Sequence, residues 1–389
     1  MNAGRPPAGF ALWNLGFRPF YLLASAFGAA GIAVWAAQFA GWLPATAYLQ
    51  GHLWHAHEML FGYTVAVVAG FLLTAVRNWT GLPTPSGTPL VLLAALWVAG
   101  RVMVLTPYGM AAAIVNAAFP VAAGIAIAVP MVRSANRRNY FFAVLLVLMG
   151  GAVLAFHLAY QGVLAVPARV GLLAGLDLVL FVMSVMGGRV IPMFTNNGVP
   201  GTNARRTPAT ERLALGSVLL LLAADLAQAP AVVIGAVALA AAVAHAVRLW
   251  LWQPWRTLRT PIVWVLHAAY AWIVVHLALR ALAAAGLVGE SVALHALTLG
   301  AIGGLTIGMM TRTAKGHTGR PLTADGYEVA AYGLVMAAAV VRVGGVILFP
   351  GAYVAMVVGS ASLWSLALAI YFVRYWPVLT RPRLDGKPG

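Results

Sequence analysis

The 389-residue chain contains no cysteine and little charge, with only 8% of its residues Asp, Glu, Lys or Arg. Without thiols there are no disulfides, no iron–sulfur clusters, no thiolate copper centres and no C-x-x-C-H attachment of c-type haem. Any bound metal must rest on His, Met, carboxylate or backbone atoms. Soluble globular domains carry about 25% charged residues, so this chain cannot coat itself with a water-facing surface. Acidic residues are the scarcest charges, 8 against 24 basic, which leaves a formal net charge of +16. No basic helix or basic–aromatic interleaving accompanies that excess, so no nucleic-acid partner is expected.

What the chain has instead is apolar length. Hydrophobic residues make up 62% of it and its mean hydropathy is +0.90. Apolar windows recur from Phe17 to Trp376, each of roughly 20 residues and so able to cross a hydrocarbon core about 30 Å thick. Twelve spans are expected. The first six are Phe17–Leu43, Met59–Val76, Pro89–Val104, Ala111–Val132, Tyr140–Gln161 and Gly171–Pro192. The second six are Leu213–Ala227, Ala231–Leu251, Ile262–Leu287, Ser291–Thr311, Gly326–Leu348 and Gly351–Trp376, of which Leu213–Ala227 is the shortest. The expected fold is an all-α polytopic bundle, a single transmembrane domain over residues 1–389 with the lipid bilayer as its chief partner. Met1 to Gly16 shows no signal-peptide cleavage pattern, and the first apolar run is too long to be one.

Basic residues set the expected orientation through their excess in short cytoplasmic loops. Arg5 precedes the first span and Arg77 follows the second. Arg133, Arg137 and Arg138 follow the fourth, while Arg205, Arg206 and Arg212 separate the sixth from the seventh. Arg256 and Arg259 follow the eighth; Arg312, Lys315 and Arg320 follow the tenth. Arg381, Arg383 and Lys387 close the chain, and the alternate loops hold only Arg169. An even number of spans with both termini cytoplasmic follows.

Nine histidines in so apolar a chain need an explanation, because ionisable groups at membrane depth are costly and face the bundle interior. His52, His55 and His57 sit at the outer mouth of the second span, with His157, His276 and His295 in the outer halves of others. His245, His267 and His317 belong to the inner side. The outer group offers axial ligands for haem or ligands for copper, since imidazole suits both metals. The alternative is that each ring hydrogen-bonds a backbone carbonyl. In the run WHAHEM, His55 and His57 are two residues apart, about 200° around a helix, so helical residues there cannot share one metal. An extended segment would let both ligate, or one ring is tied to Glu58 while the other binds.

The second and tenth spans echo each other. One runs from His55-Ala56 to Thr80-Gly81-Leu82-Pro83, the other from His295-Ala296 to Thr318-Gly319-Arg320-Pro321. Small residues line both: Gly62, Ala66 and Gly70 in one, Gly300, Gly304 and Gly308 in the other. Such residues admit close backbone approach or leave space for a flat cofactor. His55 and His295 would then face each other at one depth, as axial ligands of a haem do. Asp177, the deepest carboxylate, reads either as a partner of Arg101 or as a proton-relay or supporting group, and Arg189 either snorkels or pairs with a cofactor carboxylate.

Several stretches resemble the NnrS family of bacterial membrane proteins. They include GFRPFYLLA from Gly16, WHAHEMLFGY from Trp54, AGFLLTAVRNWTG from Ala69 and GGRVIPMFTNN from Gly187. Later come WVLHAAYAW from Trp264, LHALTLGAIGGLTIGMMTR from Leu294 and GHTGRPL from Gly316. The resemblance implies a haem- and copper-containing protein of the bacterial cytoplasmic (inner) membrane, tied to nitric oxide metabolism, denitrification and nitrosative-stress resistance. By motif it marks His55, His57, His267, His295 and His317 as metal residues. A looser similarity to the catalytic subunits of haem–copper oxidases and nitric oxide reductases lacks their His-x-His in the tenth span, their His-His pair in the seventh and any histidine in the sixth.

The expected function is binding or turnover of nitric oxide or a metal–nitrosyl species, with an electron-donor protein as partner if the chain is an oxidoreductase. The competing reading is a transporter of a metal, haem or metal–nitrosyl complex. A second polar site is expected on the inner side, where His267 and His317, with Arg312 or Arg320, bind copper or anchor haem propionates.

Overall fold

The computed structural model describes residues 9–44 and 48–387; Arg5, invoked above for orientation, lies outside them. The described residues form helices and connecting turns, with no strand. Twelve helical rods are numbered here in chain order. They are α1 (Phe17–Phe39), α2 (Gly51–Thr80), α3 (Thr88–Met103), α4 (Gly109–Arg133), α5 (Arg137–Tyr160) and α6 (Arg169–Gly198). There follow α7 (Pro208–Leu226), α8 (Ala231–Leu251), α9 (Pro261–Ala284), α10 (Glu290–His317), α11 (Gly326–Leu348) and α12 (Pro350–Thr380). Ten are long and apolar enough to cross a membrane, which marks a multi-pass membrane protein. The other two are α3, a shorter apolar helix, and α7, whose 19 residues include Glu211, Arg212 and Asp225.

Local chemistry sets the ends of the rods. Gly81 takes φ +69 and its N–H caps α2 by bonding the Arg77 carbonyl, a left-handed position that favours glycine. Pro208 opens α7 behind Thr207, whose hydroxyl accepts from the Thr210 N–H. Asp325 and Glu328 form a reciprocal capping box at the start of α11.

Consecutive rods pack side by side, and α12 returns against both α1 and α11. The Ala11 N–H donates to the Thr380 carbonyl at 2.8 Å, so the start of α1 and the end of α12 share one end of the bundle. The opposite end carries His55 and His295. Helices α2, α6 and α10 are the central ones, with 78%, 67% and 72% of their apolar windows buried against 28% for α8. Outward-facing Leu92, Ile114, Ile125 and Leu148 are exposed, as a lipid-facing surface requires.

Among the described residues three stretches are π-helical: Glu58–Thr64 in α2, Ala296–Gly303 in α10 and Val341–Gly345 in α11. Such turns are rare and collect at functional sites.

The boundaries correct the expected spans where polar residues hide inside helices. α2 begins at Gly51, not Met59, so His52, His55 and His57 are all helical. Polar side chains depress the hydropathy there, yet His57 and Glu58 are buried against protein, not water. α6 continues through Pro192 to Gly198, and α10 runs to His317, which ends the helix instead of sitting in a loop.

All eight carboxylates in the sequence lie within 4.0 Å of a cationic partner. In the interior, Glu58 pairs with Arg101 and Glu211 with Arg248, while Asp177 and Asp225 share Arg280. Arg101 therefore belongs to Glu58, and Asp177 takes Arg280 in its place.

Candidate functional site

Between α1, α2, α6, α10, α11 and α12 lies a cavity of about 220 Å³. Its walls are largely aliphatic, with Trp35, Tyr63 and Trp364 among them; His55, His295 and Arg342 are ionisable lining, as is the Arg169–Glu290 ion pair. All three π-helical stretches border it: Met59, Leu60 and Tyr63 come from the first, Thr298 and Ile302 from the second, Arg342 from the third.

His55 and His295 face each other there. Their rings are 8° from parallel with centroids 6.2 Å apart. Trp35 stacks on His55 at 4.1 Å and 20°, fixing its ring plane. His295 Nδ1 lies 2.6 Å from the Ser291 carbonyl one turn earlier. A carbonyl only accepts, so Nδ1 carries the proton and Nε2 keeps the lone pair that a metal takes. His55 Nδ1 is buried with no hydrogen-bond partner.

His57 turns the other way. With residues two apart about 200° around the helix, its ring leaves the cavity and meets α5, where His57 Nε2 and His157 Nε2 are 3.0 Å apart. His57 Nδ1 is 2.7 Å from Glu58 Oε1, which also accepts from Arg101 Nη1 at 2.8 Å. Arg101 reaches on to Asn116 Oδ1, and His157 Nδ1 lies 3.2 Å from the Tyr48 hydroxyl. One proton arrangement is consistent with the contacts from Tyr48 to Glu58, although Glu58 Oε2 and Arg101 Nε stay without hydrogen-bond partners. The carboxylate can only accept, so His57 donates through Nδ1 and accepts at Nε2 from His157, and Tyr48 donates to His157.

The inner residues do not gather. His267 Nε2 is 2.7 Å from Thr195 Oγ1, whose own proton goes to the Ile191 carbonyl. The His317 ring packs on Phe17 at 5.7 Å, and its carbonyl accepts from Arg383 Nη1 at 3.0 Å. Arg312 stacks over Phe194 at 3.7 Å. Arg189 donates to Asn139 Oδ1 at 2.7 Å beneath Phe141 and Phe142, away from the cavity. His245 bonds the Tyr270 hydroxyl, and His276 Nδ1 bonds the Ala293 carbonyl at 2.7 Å, linking α9 to α10.

Sequence reasoning missed Trp35, Arg342, Asp225 and Arg280. The last three are charges inside apolar helices, a signal that was available. Asp225 grips Arg280 with two bonds of 2.7 and 2.9 Å, and Asp177 stands 3.8 Å from the same guanidinium.

The donor chemistry fits haem better than a bare ion. Haem iron is held by imidazole in many proteins, and two rings 6.2 Å apart on facing walls of one cavity are donors of that kind. Haem brings its own four equatorial nitrogens and asks the protein only for axial ligands. Arg342 Nη1, buried without a partner beside the cavity, is a ready cation for a carboxylate of the same molecule. Among the described residues no group of three His, Asp or Glu side chains is placed to hold a metal ion, so a copper site with three such protein ligands is not formed there.

None of the curated proteins matches the chain. The family model of the NnrS protein matches residues 11–383, nearly the whole length and every rod described above, and the chain belongs to the NnrS family.

Proposed function

We propose that this protein binds haem between His55 and His295 in the cytoplasmic membrane of a bacterium and binds or turns over nitric oxide there. The carrying observation is the pair of parallel imidazoles across an apolar cavity. Bound haem would supply an iron centre able to exchange electrons, and nitric oxide would ligate it in place of one of the two imidazoles. The protein's own groups do the rest. Trp35 and the Ser291 carbonyl orient the two rings, Arg342 offers a cation to the carboxylates, and the aliphatic walls exclude water. Charge-assisted hydrogen bonds to carboxylates are roughly twice as strong as those from neutral donors.

Copper has a weaker footing. His57, His267 and His317, marked for metal by the family resemblance, go to separate neighbours. We read the chain as one transmembrane domain with α3 and α7 also crossing and both termini cytoplasmic, supported by the alternation of arginine-rich and arginine-free loops.

The test is an absorption spectrum and a metal count on the purified protein and on His55→Ala and His295→Ala. A Soret band that either substitution removes or shifts is expected. Wild-type spectra in both variants, or no haem in the wild type, would overturn the assignment.

A further inference from the structure

A second, smaller void of about 80 Å³ lies among α1, α2, α6 and α10, next to the His55–His295 cavity on the side of the terminus-bearing end. Val67, Val68, Val179, Val182, Met183 and Leu305 are among its walls. Thr64 and Ile302 line both spaces, so the two are divided there by a single layer of side chains. Each of these residues belongs to a π-helical turn, Thr64 to Glu58–Thr64 and Ile302 to Ala296–Gly303. Towards α5 a gap of about 10 Å³ shares Val68, Val179 and Val182 with the void, and its lining holds no polar residue.

The 80 Å³ void has room for water but little to hold it. Three hydroxyl-bearing residues reach it, Tyr21, Thr64 and Thr306. Thr64 donates to the Met59 carbonyl at 2.8 Å. Thr306 donates to the Gly303 carbonyl at 3.0 Å, and its oxygen accepts from Tyr63 at 2.8 Å. Tyr21 keeps the one lining hydroxyl without a partner. A buried water occupies about 10–15 Å³ and needs about two to four polar partners, whereas apolar cavities stay dry and take up benzene or xenon. Empty space costs stability in proportion to its volume, so an occupant that needs no hydrogen bonds would stabilise the structure. An uncharged diatomic molecule meets that condition, because its transfer from water leaves no strong polar group unsatisfied.

We propose that this void is a second binding site, for a small apolar molecule of the size of a diatomic gas, and that Ile302 is the side chain such a molecule passes to reach the His55–His295 cavity. Of the two dividing residues Thr64 is held by its bond to Met59, and Ile302 has no polar tether. The site itself needs no haem. Its use as a store from which the haem ligand is drawn rests on the haem reading. No bond forms or breaks in the void; the molecule only waits there.

The experiment pressurises crystals of the purified protein with xenon and maps the anomalous scattering. A xenon peak walled by Val67, Val182 and Leu305 is expected in the wild type, and its loss in Val179→Phe, whose ring fills the void. No peak at that place in the wild type overturns the site without recourse to any variant. The passage is read by flash photolysis of carbon monoxide from the reduced, haem-loaded protein. A rebinding phase whose rate does not depend on carbon monoxide concentration is expected from molecules waiting in the void. Val179→Phe should abolish that phase and the milder Val182→Leu should lower its amplitude, both with the Soret band unchanged. A wild type without the phase, or variants that keep it in full, overturns the passage past Ile302. A wild type that lacks a Soret band overturns the haem reading and the store with it, and the xenon map alone then decides the site.

Discussion

Nε2 of His57 and Nε2 of His157 stand 3.0 Å apart, each ring held from behind by a different partner, Glu58 for one and Tyr48 for the other. This relay ends at the Glu58–Arg101 pair, which is almost wholly buried. Glu58→Gln strands the guanidinium and should destabilise the protein by about 3–5 kcal/mol, read as a fall in melting temperature in detergent. Glu58→Gln combined with Arg101→Gln should recover much of that loss. A double variant as unstable as the sum of the singles would show that the two side chains are not coupled.

The two cavity histidines should not be equivalent. His295 is oriented by its bond to Ser291, whereas His55 Nδ1 has no such bond and relies on Trp35. Removing an orienting partner typically weakens metal binding by about 10–100-fold. His295→Ala should therefore retain less haem than His55→Ala, measured as haem per protein after purification; equal retention would contradict the ordering.

Arg342→Gln removes the buried cation beside the cavity while keeping much of the side chain's length. A hydrogen bond to a charged group contributes about 1.5–3 kcal/mol, so haem should dissociate at least about tenfold faster. Transfer to a soluble haem scavenger measures this rate. An unchanged rate would remove Arg342 from the site.

α5 and α6 touch backbone to backbone at Gly171, where an added Cβ would lie 2.7 Å from the Ala152 carbonyl oxygen and 2.7 Å from the Phe156 nitrogen. Neither atom is the end of a flexible side chain. Gly171→Ala should cost about 1–3 kcal/mol by overpacking. Melting at the wild-type temperature would mean that the two helices can part without loss.

Reporters fused after Leu43 and after Leu287 should be periplasmic, and one after Val132 cytoplasmic. A cytoplasmic reporter after Leu287 would show that α7, with Glu211, Arg212 and Asp225, does not cross.

The apolar windows disclosed the rods because lipid-facing and core residues are both hydrophobic, so hydropathy tracks length well. It failed at Gly51–Glu58, where histidines and a carboxylate lie inside the protein and read as a loop. The repeated His-Ala opening of α2 and α10 pointed to His55 and His295 because helices in the same direction carry equivalent residues to the same depth. Helical spacing separates His55 from His57 once the segment is known to be helical, but it could not name His157 as the latter's partner. Depth in the bilayer says nothing about azimuth. For the same reason one of the two readings of Asp177 paired it with the wrong arginine: Arg101 and Arg280 are both buried cations, and only the packing of α9 against the neighbouring helices decides between them.

The π-helical turn after His55 has a consequence for how the chain can vary. An α-helix advances about 100° per residue, and a π turn absorbs one residue more than an α turn does. The segment Glu58–Thr64 therefore sets the phase between the turn that bears His55 and the lower part of α2, which is locked against α1 and α4. Losing one residue within the π turn would restore regular α-helix and keep His55 on nearly the same face, but losing one from the α-helical stretch Val65–Thr80 would swing His55 about 100° around the axis, away from His295, with every side chain of the cavity still encoded. In this stretch of the chain, spacing is as much a determinant of the site as residue identity.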